Sequence, residues 1–331
     1  MKKYILGVDI GGTACKLGLF DVSGNMLDKW EIQTDKSDCG KNVLKSVAKS
    51  LRMKMGEKTI SDEELLGIGM GLPGTVDKEG FFDCPNLNWK HVAAQKEMQE
   101  IMGGIQVRAL NDANAAALGE MWKGSARGYQ DVVMVTIGTG VGGGIILGGN
   151  ILEGSHGTAG EIGCMVVNPQ ETEYFYAGPK GCLEQYASAT GLVNMTRKVL
   201  SQKHDASILD SVQLITAKEI FEAYGLKDKV ATEVVDTFFK ILGQAMAKIS
   251  YIVDPEIYVI GGGVSKAGQS LLDGIHKAYL KEASELCRKT EFVLASLGND
   301  AGMYGAVYAV CHERTEREDV TPIISFVEKF K

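Results

Sequence analysis

Asn111-Asp112-Ala113-Asn114-Ala115-Ala116-Ala117 closes an apolar strand, Val107 to Leu110, and opens a helix, with an aspartate at the junction. Asn and Asp at such a junction are first of all helix caps, since their side chains accept hydrogen bonds from the first unpaired backbone N–H groups. Capping is not the whole reading here, because two glycine turns also follow apolar strands: Asp9-Ile10-Gly11-Gly12-Thr13 and Ile137-Gly138-Thr139-Gly140-Val141-Gly142-Gly143. A carboxylate at a helix N-terminus is placed as a general base, and two turns of phosphate size point to phosphoryl transfer.

Outward from these motifs, strand patterns alternate with helical ones, which indicates an α/β fold. Tyr4 to Val8, Lys16 to Phe20 and Met26 to Ile32 read as a three-stranded meander. Val43, Val47, Leu51 and Met55 recur every four residues and give a helix with one apolar stripe. Leu66 to Met70 is a strand, broken at Gly71-Leu72-Pro73-Gly74 and followed by a helix and strand that end at Asp112. The second half repeats the opening device, since Val135-Thr136-Ile137-Gly138-Thr139-Gly140, Gly144-Ile145-Ile146-Leu147 and the turn Gly148-Gly149-Asn150 follow the order of residues 8–25. Two readings of this likeness stay open: chance between two glycine hairpins, or two related lobes with a nucleotide between them. Further on, Val230 to Val253 forms a long helix, Ile257 to Ile260 a strand running into Gly261-Gly262-Gly263, and Ala301-Gly302-Met303-Tyr304-Gly305-Ala306-Val307 starts a helix of small residues suited to close packing.

At 331 residues the chain is long enough for two cores. A net charge of −7 disfavours partners bound by bulk attraction to phosphate backbones or anionic membranes, and a small-molecule partner fits better. Seven scattered cysteines are an odd number and suit reduced thiols. With no secretory signal pattern after Met1-Lys2-Lys3 and no apolar run of membrane-spanning length, the expected location is the cytoplasm.

Glycine turns bind anions because backbone N–H groups converge and no Cβ keeps oxygen away. Neither turn has Walker or dinucleotide spacing, so neither of those chemistries is supported. Thr13 and Thr139 add hydroxyl donors, and Asp9 is suited to holding magnesium through water. Each turn taken alone is equally well read as a tight hairpin.

Over nearly its whole length the chain resembles the ROK family of sugar kinases and sugar-sensing repressors, within the actin-like, hexokinase-like ATPase fold. The resemblance is carried, in the family's order, by Asp9-Ile10-Gly11-Gly12-Thr13-Ala14-Cys15-Lys16, Gly69-Met70-Gly71-Leu72-Pro73-Gly74, Pro85-Asn86-Leu87 with Trp89, Asn111-Asp112-Ala113-Asn114, Ile137-Gly138-Thr139-Gly140-Val141-Gly142, Gly160-Glu161-Ile162-Gly163 and Gly181-Cys182-Leu183-Glu184. It implies a two-lobed α/β, ribonuclease H-like fold with nucleotide and sugar in the interlobe cleft. The smaller lobe is expected at 1–115 plus about 300–331 and the larger at 116–299. It further implies that Asp112 takes the proton of a sugar hydroxyl attacking the γ-phosphate of ATP, a reaction that is mostly positioning and charge stabilisation. Gly71, Asn86, Asn111, Glu161, Cys164 and Glu184 fall with Asp112 at sugar-binding positions. Asp9, Gly11, Gly12, Thr13, Lys16, Gly138, Thr139 and Gly140 fall at positions for the phosphates and magnesium, and Gly262 and Gly263 at the adenosine. A homodimer is also implied.

The chain departs from the family's pattern at its structural zinc site. The family's histidine position holds Cys164, the paired cysteine positions hold Phe175 and Ala177, and only Cys182 keeps its place. Two thiols do not make a closed four-ligand site, so no structural zinc is expected. His156 reads as a loop histidine rather than a replacement ligand, and Cys164 as an inert thiol in the absence of an evident base or cation. Because that histidine in the family also touches the sugar near its anomeric end, a smaller and weaker donor there implies altered specificity, open to another hexose, an N-acetylhexosamine or a glycoside. A sugar kinase using ATP and magnesium is the expected function; the alternative is a non-catalytic sugar- or nucleotide-binding sensor derived from such kinases.

Overall fold

The computed structural model describes residues 2–76, 80–84, 87–175, 178–202 and 205–319, without side chains from 313 onward. In chain order it contains β1 (Tyr4–Ile10), β2 (Ala14–Asp21), β3 (Met26–Gln33), α1 (Val43–Glu57), β4 (Leu65–Leu72), β5 (Thr75–Val76), β6 (Phe82–Cys84), β7 (Trp89–Val92), α2 (Ala94–Ile101), β8 (Val107–Asn111) and α3 (Asp112–Lys123). There follow β9 (Val132–Ile137), β10 (Val141–Leu147), β11 (Asn150–Ile151), α4 (Leu183–Ala187), α5 (Ala189–Leu200), α6 (Ala217–Gly225), α7 (Lys229–Val253), β12 (Ile257–Gly261), α8 (Gln269–Glu282), β13 (Glu291–Leu294) and α9 (Ala301–Asp319).

These elements form two compact units: the chain up to Trp122 with Glu153–Thr158 and the chain from Asp300, and Lys123–Leu152 with Ala159–Asn299. The first unit extends past residue 115, the boundary expected from sequence, because α3 is held along its length. A Cβ added to Gly305 on α9 would lie 1.6 Å from the Ala115 carbonyl oxygen, and Trp122 packs edge-on against Tyr304. Glu153–Thr158 belongs to it through a 3.0 Å ion pair between Arg108 and Glu153.

The first unit is built on a sheet of order β3-β2-β1-β4-β8, antiparallel from β3 to β1 and parallel from β1 to β8. The second is built on a sheet of order β11-β10-β9-β12-β13, again with an antiparallel meander on one side and parallel strands on the other. The strand order is the same, so the likeness between the two glycine hairpins extends to the whole five-stranded topology. In both sheets the central strands are apolar on both faces, as helix-covered parallel strands must be: Ile5, Leu6, Val8 and Ile10 in β1, and Val132, Val133, Val135 and Ile137 in β9, are fully buried. Each such side chain contributes about 1.5–3 kcal/mol relative to exposure. The edge strand β3 instead alternates half-buried and exposed positions. The apolar stripe of α1, Val43, Val47, Leu51 and Met55, enters the first core as its spacing predicts. In the second unit α7 supplies Val234, Val235, Phe238 and Leu242 to the core. Among the described residues no helix is long and apolar enough to cross a membrane.

Candidate active site

In the first unit Asp9 lies near the end of β1, and the β1–β2 register sets Lys16 directly opposite it. Cross-strand neighbours on one face are within side-chain reach, and Lys16 Nζ stands 3.3 Å from Asp9 Oδ2. Burial pushes the Asp9 carboxyl up, and Lys16 opposes that shift. A Cβ on Gly302 would lie 3.1 Å from Asp9 Cγ, which seats the carboxylate on the first turn of α9, where the helix dipole favours negative charge. A Cβ on Gly71 would lie 3.5 Å from Ala115 Cβ and 3.7 Å from Asp9 Oδ1, so β1, β4 and α3 converge there. The Gly11–Thr13 turn is closed by a 3.0 Å bond from Gly11 N to the Ala14 carbonyl, and Thr34 Oγ1 donates to the Gly11 carbonyl at 2.7 Å. The Lys36 ammonium lies 3.6 Å from where Gly12 would carry a Cβ, a cation beside the turn. Its approach depends on the path of the chain after β3, which no local pattern signals.

Asn111 caps α3. Its Oδ1 accepts from Ala113 N at 2.9 Å and Asn114 N at 3.1 Å, while its Nδ2 donates to the Gly74 carbonyl at 2.9 Å. One N–H of four hydrogen-bonding capacities is left, so Asn111 can only donate to a ligand. The half-buried Asp112 takes the first position of α3, and its Oδ1 accepts from Ala113 N at 2.8 Å. Asn86 lies outside the described residues. Its neighbour Trp89 is anchored by donation from Nε1 to the Gly40 carbonyl at 3.1 Å.

In the second unit glycines bring Glu161 and Glu184 together. The segment Gly160 to Gly163 lies against β10 so closely that a Cβ on Gly163 would stand 2.2 Å from the Val141 carbonyl oxygen. Gly181, at φ +71°, lets the chain pair back onto residues 165–168: Val167 N donates to the Gly181 carbonyl and Leu183 N to the Met165 carbonyl, both at 2.8 Å. Glu184 then sits in the first turn of α4, and its Oε2 accepts from Val141 N at 2.8 Å. Both carboxylates are half-buried. Burial and the charge of Glu184 push the Glu161 carboxyl up, and burial does the same to Glu184 against the pull of the Val141 N–H.

The turn after β9 leads into this pair. A Cβ on Gly140 would lie 2.0 Å from Glu184 Oε2, whereas one on Gly138 would meet nothing within 4 Å. Thr139 is exposed, and its carbonyl accepts from Thr190 Oγ1 at 2.8 Å. Gly262, at φ +85°, presses on the end of β9, its Cβ position 2.4 Å from the Ile137 carbonyl oxygen, so the turn after β12 adjoins the turn after β9. Gly263 has open space where a Cβ would be.

Cys164, exposed, ends the short 3-10 turn that Glu161 begins, and the buried Cys182 precedes α4. Phe175 is buried, and Ala177 lies outside the described residues. No three His, Cys, Asp or Glu side chains gather to hold a metal ion among the described residues. The loop between Met165 and α4 carries hydrogen bonds that sequence reading missed: Asn168 Nδ2 donates to the Tyr186 hydroxyl at 2.7 Å, that hydroxyl donates to Glu171 Oε2 at 2.5 Å, and Gln185 Oε1 accepts from Gly181 N at 2.8 Å. Burial and the Glu171 carboxylate push the Tyr186 hydroxyl up to about 12, so it stays a donor.

A sequence model of the ROK family matches residues 5–313. The chain is 39% identical over 324 residues to a glucokinase of Halalkalibacterium halodurans, which covers 96% of this chain and 97% of the relative. It is similar in structure to a ROK hexokinase of Thermus thermophilus, with a TM-score of 0.80 and 28% identity over 95% of this chain and 99% of that one. It is also similar to a ROK family glucokinase of Streptomyces griseus in complex with glucose and AMPPNP, with a TM-score of 0.75 and 31% identity over 92% of this chain and 98% of that one. The α/β architecture is therefore that of the actin-like ATPase fold.

Proposed function

The chain belongs to the ROK family and is a hexokinase-type phosphotransferase, and on that footing we propose that it transfers the γ-phosphate of ATP to the C6 hydroxyl of a hexose or hexose derivative. The observation that carries the reading is the Glu161–Glu184 pair. The Glu161 carboxylate makes no hydrogen bond or ion pair among the described residues, and the Glu184 carboxylate has the single donor Val141 N. Half-buried carboxylates are costly unless donors meet them, and vicinal sugar hydroxyls are such donors. Asn111 adds its one remaining N–H.

Asp112 is the proposed general base. Oδ1 is occupied by the helix N-terminus, which fixes the carboxylate's orientation, and the attacking hydroxyl gives up its proton to this group. Gly11, Gly12 and Thr13, with Lys36 nearby, and Gly138, Thr139 and Gly140 are the proposed phosphate contacts, while Gly262 and Gly263 leave the backbone bare for adenosine. A single carboxylate backed by a lysine fits magnesium that arrives on the nucleotide, and Asp9 would hold it through water; the ion would supply charge neutralisation at the phosphates. The enzyme is further proposed to be a cytoplasmic homodimer, its assembly read by light scattering.

The test is sugar-dependent ADP release across free hexoses, N-acetylhexosamines and β-glycosides, with Asp112→Asn as control. We expect one preferred sugar, and a loss of roughly 10²–10⁴ in kcat in the variant with sugar binding retained. Comparable turnover in the variant would remove Asp112 from the mechanism. Sugar binding without turnover in the native protein would favour a non-catalytic sensor.

A further inference from the structure

We propose that Cys164 and Cys182 form a dithiol modification site that takes a peroxide and closes to a disulfide, shifting the turn that carries Glu161. The two residues are far apart in composition of surroundings, one exposed and one buried, yet their sulfurs share one neighbourhood. A Cβ placed on Gly178 would lie 3.7 Å from the Cys164 sulfur and 3.6 Å from the Cys182 sulfur.

The backbone holds them there. Val166 and Cys182 form an antiparallel bridge, flanked by the bonds from Leu183 N to the Met165 carbonyl and from Val167 N to the Gly181 carbonyl. The Asn168–Tyr186–Glu171 and Gln185–Gly181 hydrogen bonds fix the intervening loop without using either thiol. The two cysteines are therefore held adjacent with no disulfide between them. Exposure makes Cys164 the sulfur that meets the oxidant, and Cys182 is the resolving thiol beneath it.

The chemistry balances in two steps. The Cys164 sulfur attacks one oxygen of hydrogen peroxide, the O–O bond breaks, and Cys164 becomes a sulfenic acid as one water leaves. The Cys182 sulfur then attacks the sulfenic sulfur, the S–OH bond breaks and a second water leaves; the two electrons that the thiols lose have reduced the peroxide. Partial desolvation of the sulfur and the Glu161 carboxylate push the Cys164 thiol up, although the residue as a whole is exposed. The thiolate is the nucleophile, so closure quickens as pH rises.

Closure draws the sulfurs to about 2.05 Å. Glu184 is tethered to Val141 N and α4 is packed into the core, so the yielding partner is the 3-10 turn, whose bond from Cys164 N to the Glu161 carbonyl carries the movement to Glu161. The modification itself is independent of the kinase reading, whereas its effect on sugar affinity rests on it.

The experiment treats the full-length protein with hydrogen peroxide at neutral and alkaline pH, blocks remaining thiols, and maps peptides by mass. Trypsin cleavage after Lys180 parts the two cysteines, so a linked pair two hydrogens lighter than the sum is diagnostic. We expect this link to be reversed by dithiothreitol, to form faster at the higher pH, to be lost in Cys164→Ser, and to raise the KM for the sugar while that for ATP stays unchanged. Cys164 halting at an over-oxidised acid, a link from Cys164 to any other cysteine, or a linked protein with unchanged sugar KM each overturns the proposal. Reduced enzyme serves as the reference: absence of turnover in both forms counts against the kinase reading, and the mass map still decides the link.

Discussion

Replacing Gly140 with alanine separates two roles that lie two residues apart, at Gly138 and Gly140. The new Cβ would stand 2.0 Å from Glu184 Oε2, where real contacts do not fall below 3.0 Å. The backbone at Gly140 is on the ordinary side of φ, so the carboxylate yields rather than the turn. A retreat of about 1 Å takes Oε2 out of reach of Val141 N, and a misplacement of that size in a positioning group costs up to about 100-fold. The lost charged hydrogen bond is worth about 1.5–3 kcal/mol, which corresponds to a sugar KM raised roughly 10- to 100-fold. Stability changes less, because the alanine recovers about 0.4–1 kcal/mol through the unfolded chain. Gly138→Ala is the contrast: its Cβ meets nothing within 4 Å, so the sugar KM and the melting temperature hold, and the ATP KM rises if phosphate approaches the bare backbone there. Steady-state kinetics with each substrate varied in turn, beside thermal melts, decides it. A Gly140→Ala enzyme whose sugar KM stays within about twofold of native refutes the placement of Glu184 in the sugar site.

Three further outcomes follow from the geometry. Gly305→Ala sets a Cβ 1.6 Å from a backbone oxygen of α3 that cannot swing away, and should destabilise by about 3 kcal/mol in denaturant titration; a loss under roughly 1 kcal/mol would show that α3 and α9 are not so closely packed. Because Glu161 is pushed above its ordinary value of 4.5, its contribution to stability is complete below that value and is lost as pH rises through the raised folded-state value. Glu161→Gln should therefore melt higher than native at pH 7, with the gap closing towards about pH 4, and an equal gap at both would assign the effect to something other than charge. Tyr186→Phe removes the hydroxyl shared by Asn168 and Glu171 and should cost about 1–2 kcal/mol, with faster amide exchange across residues 168–181; unchanged exchange would mean that this network does not hold the loop.

The parts of this fold that were legible in the sequence are those where one local requirement dominates. The stripe of α1 has to face a core, the glycine hairpins have to turn, and strands covered on both faces have to be apolar throughout, so β1, β9 and α1 declare themselves. The small sheet β5-β6-β7 went unread because its strands are two to four residues long, too short to display a period. Strand β4 runs through Gly71 to Leu72, since the parallel ladders with β1 and β8 override the glycine that suggested an earlier break. In the site, Asp9 opposite Lys16 follows from the hairpin register, whereas Lys36, Thr190 and the Tyr186 network depend on where distant loops come to rest.

The arrangement around Glu161 and Glu184 also explains how the chain tolerates its departures at Cys164, Phe175 and Ala177. Two devices hold the Glu161 turn and the head of α4 in mutual register. Close backbone approach at Gly163 and Gly181 sets the positions, with bare glycines where any side chain would clash. The hydrogen bonds of Asn168, Glu171, Gln185 and Tyr186 then tie the loop to the same short helix that carries Glu184. The buried Phe175 adds an apolar anchor to the same loop. These devices hold the loop whichever oxidation state Cys164 and Cys182 take, so the proposed link would act on the Glu161 turn and not on the loop as a whole.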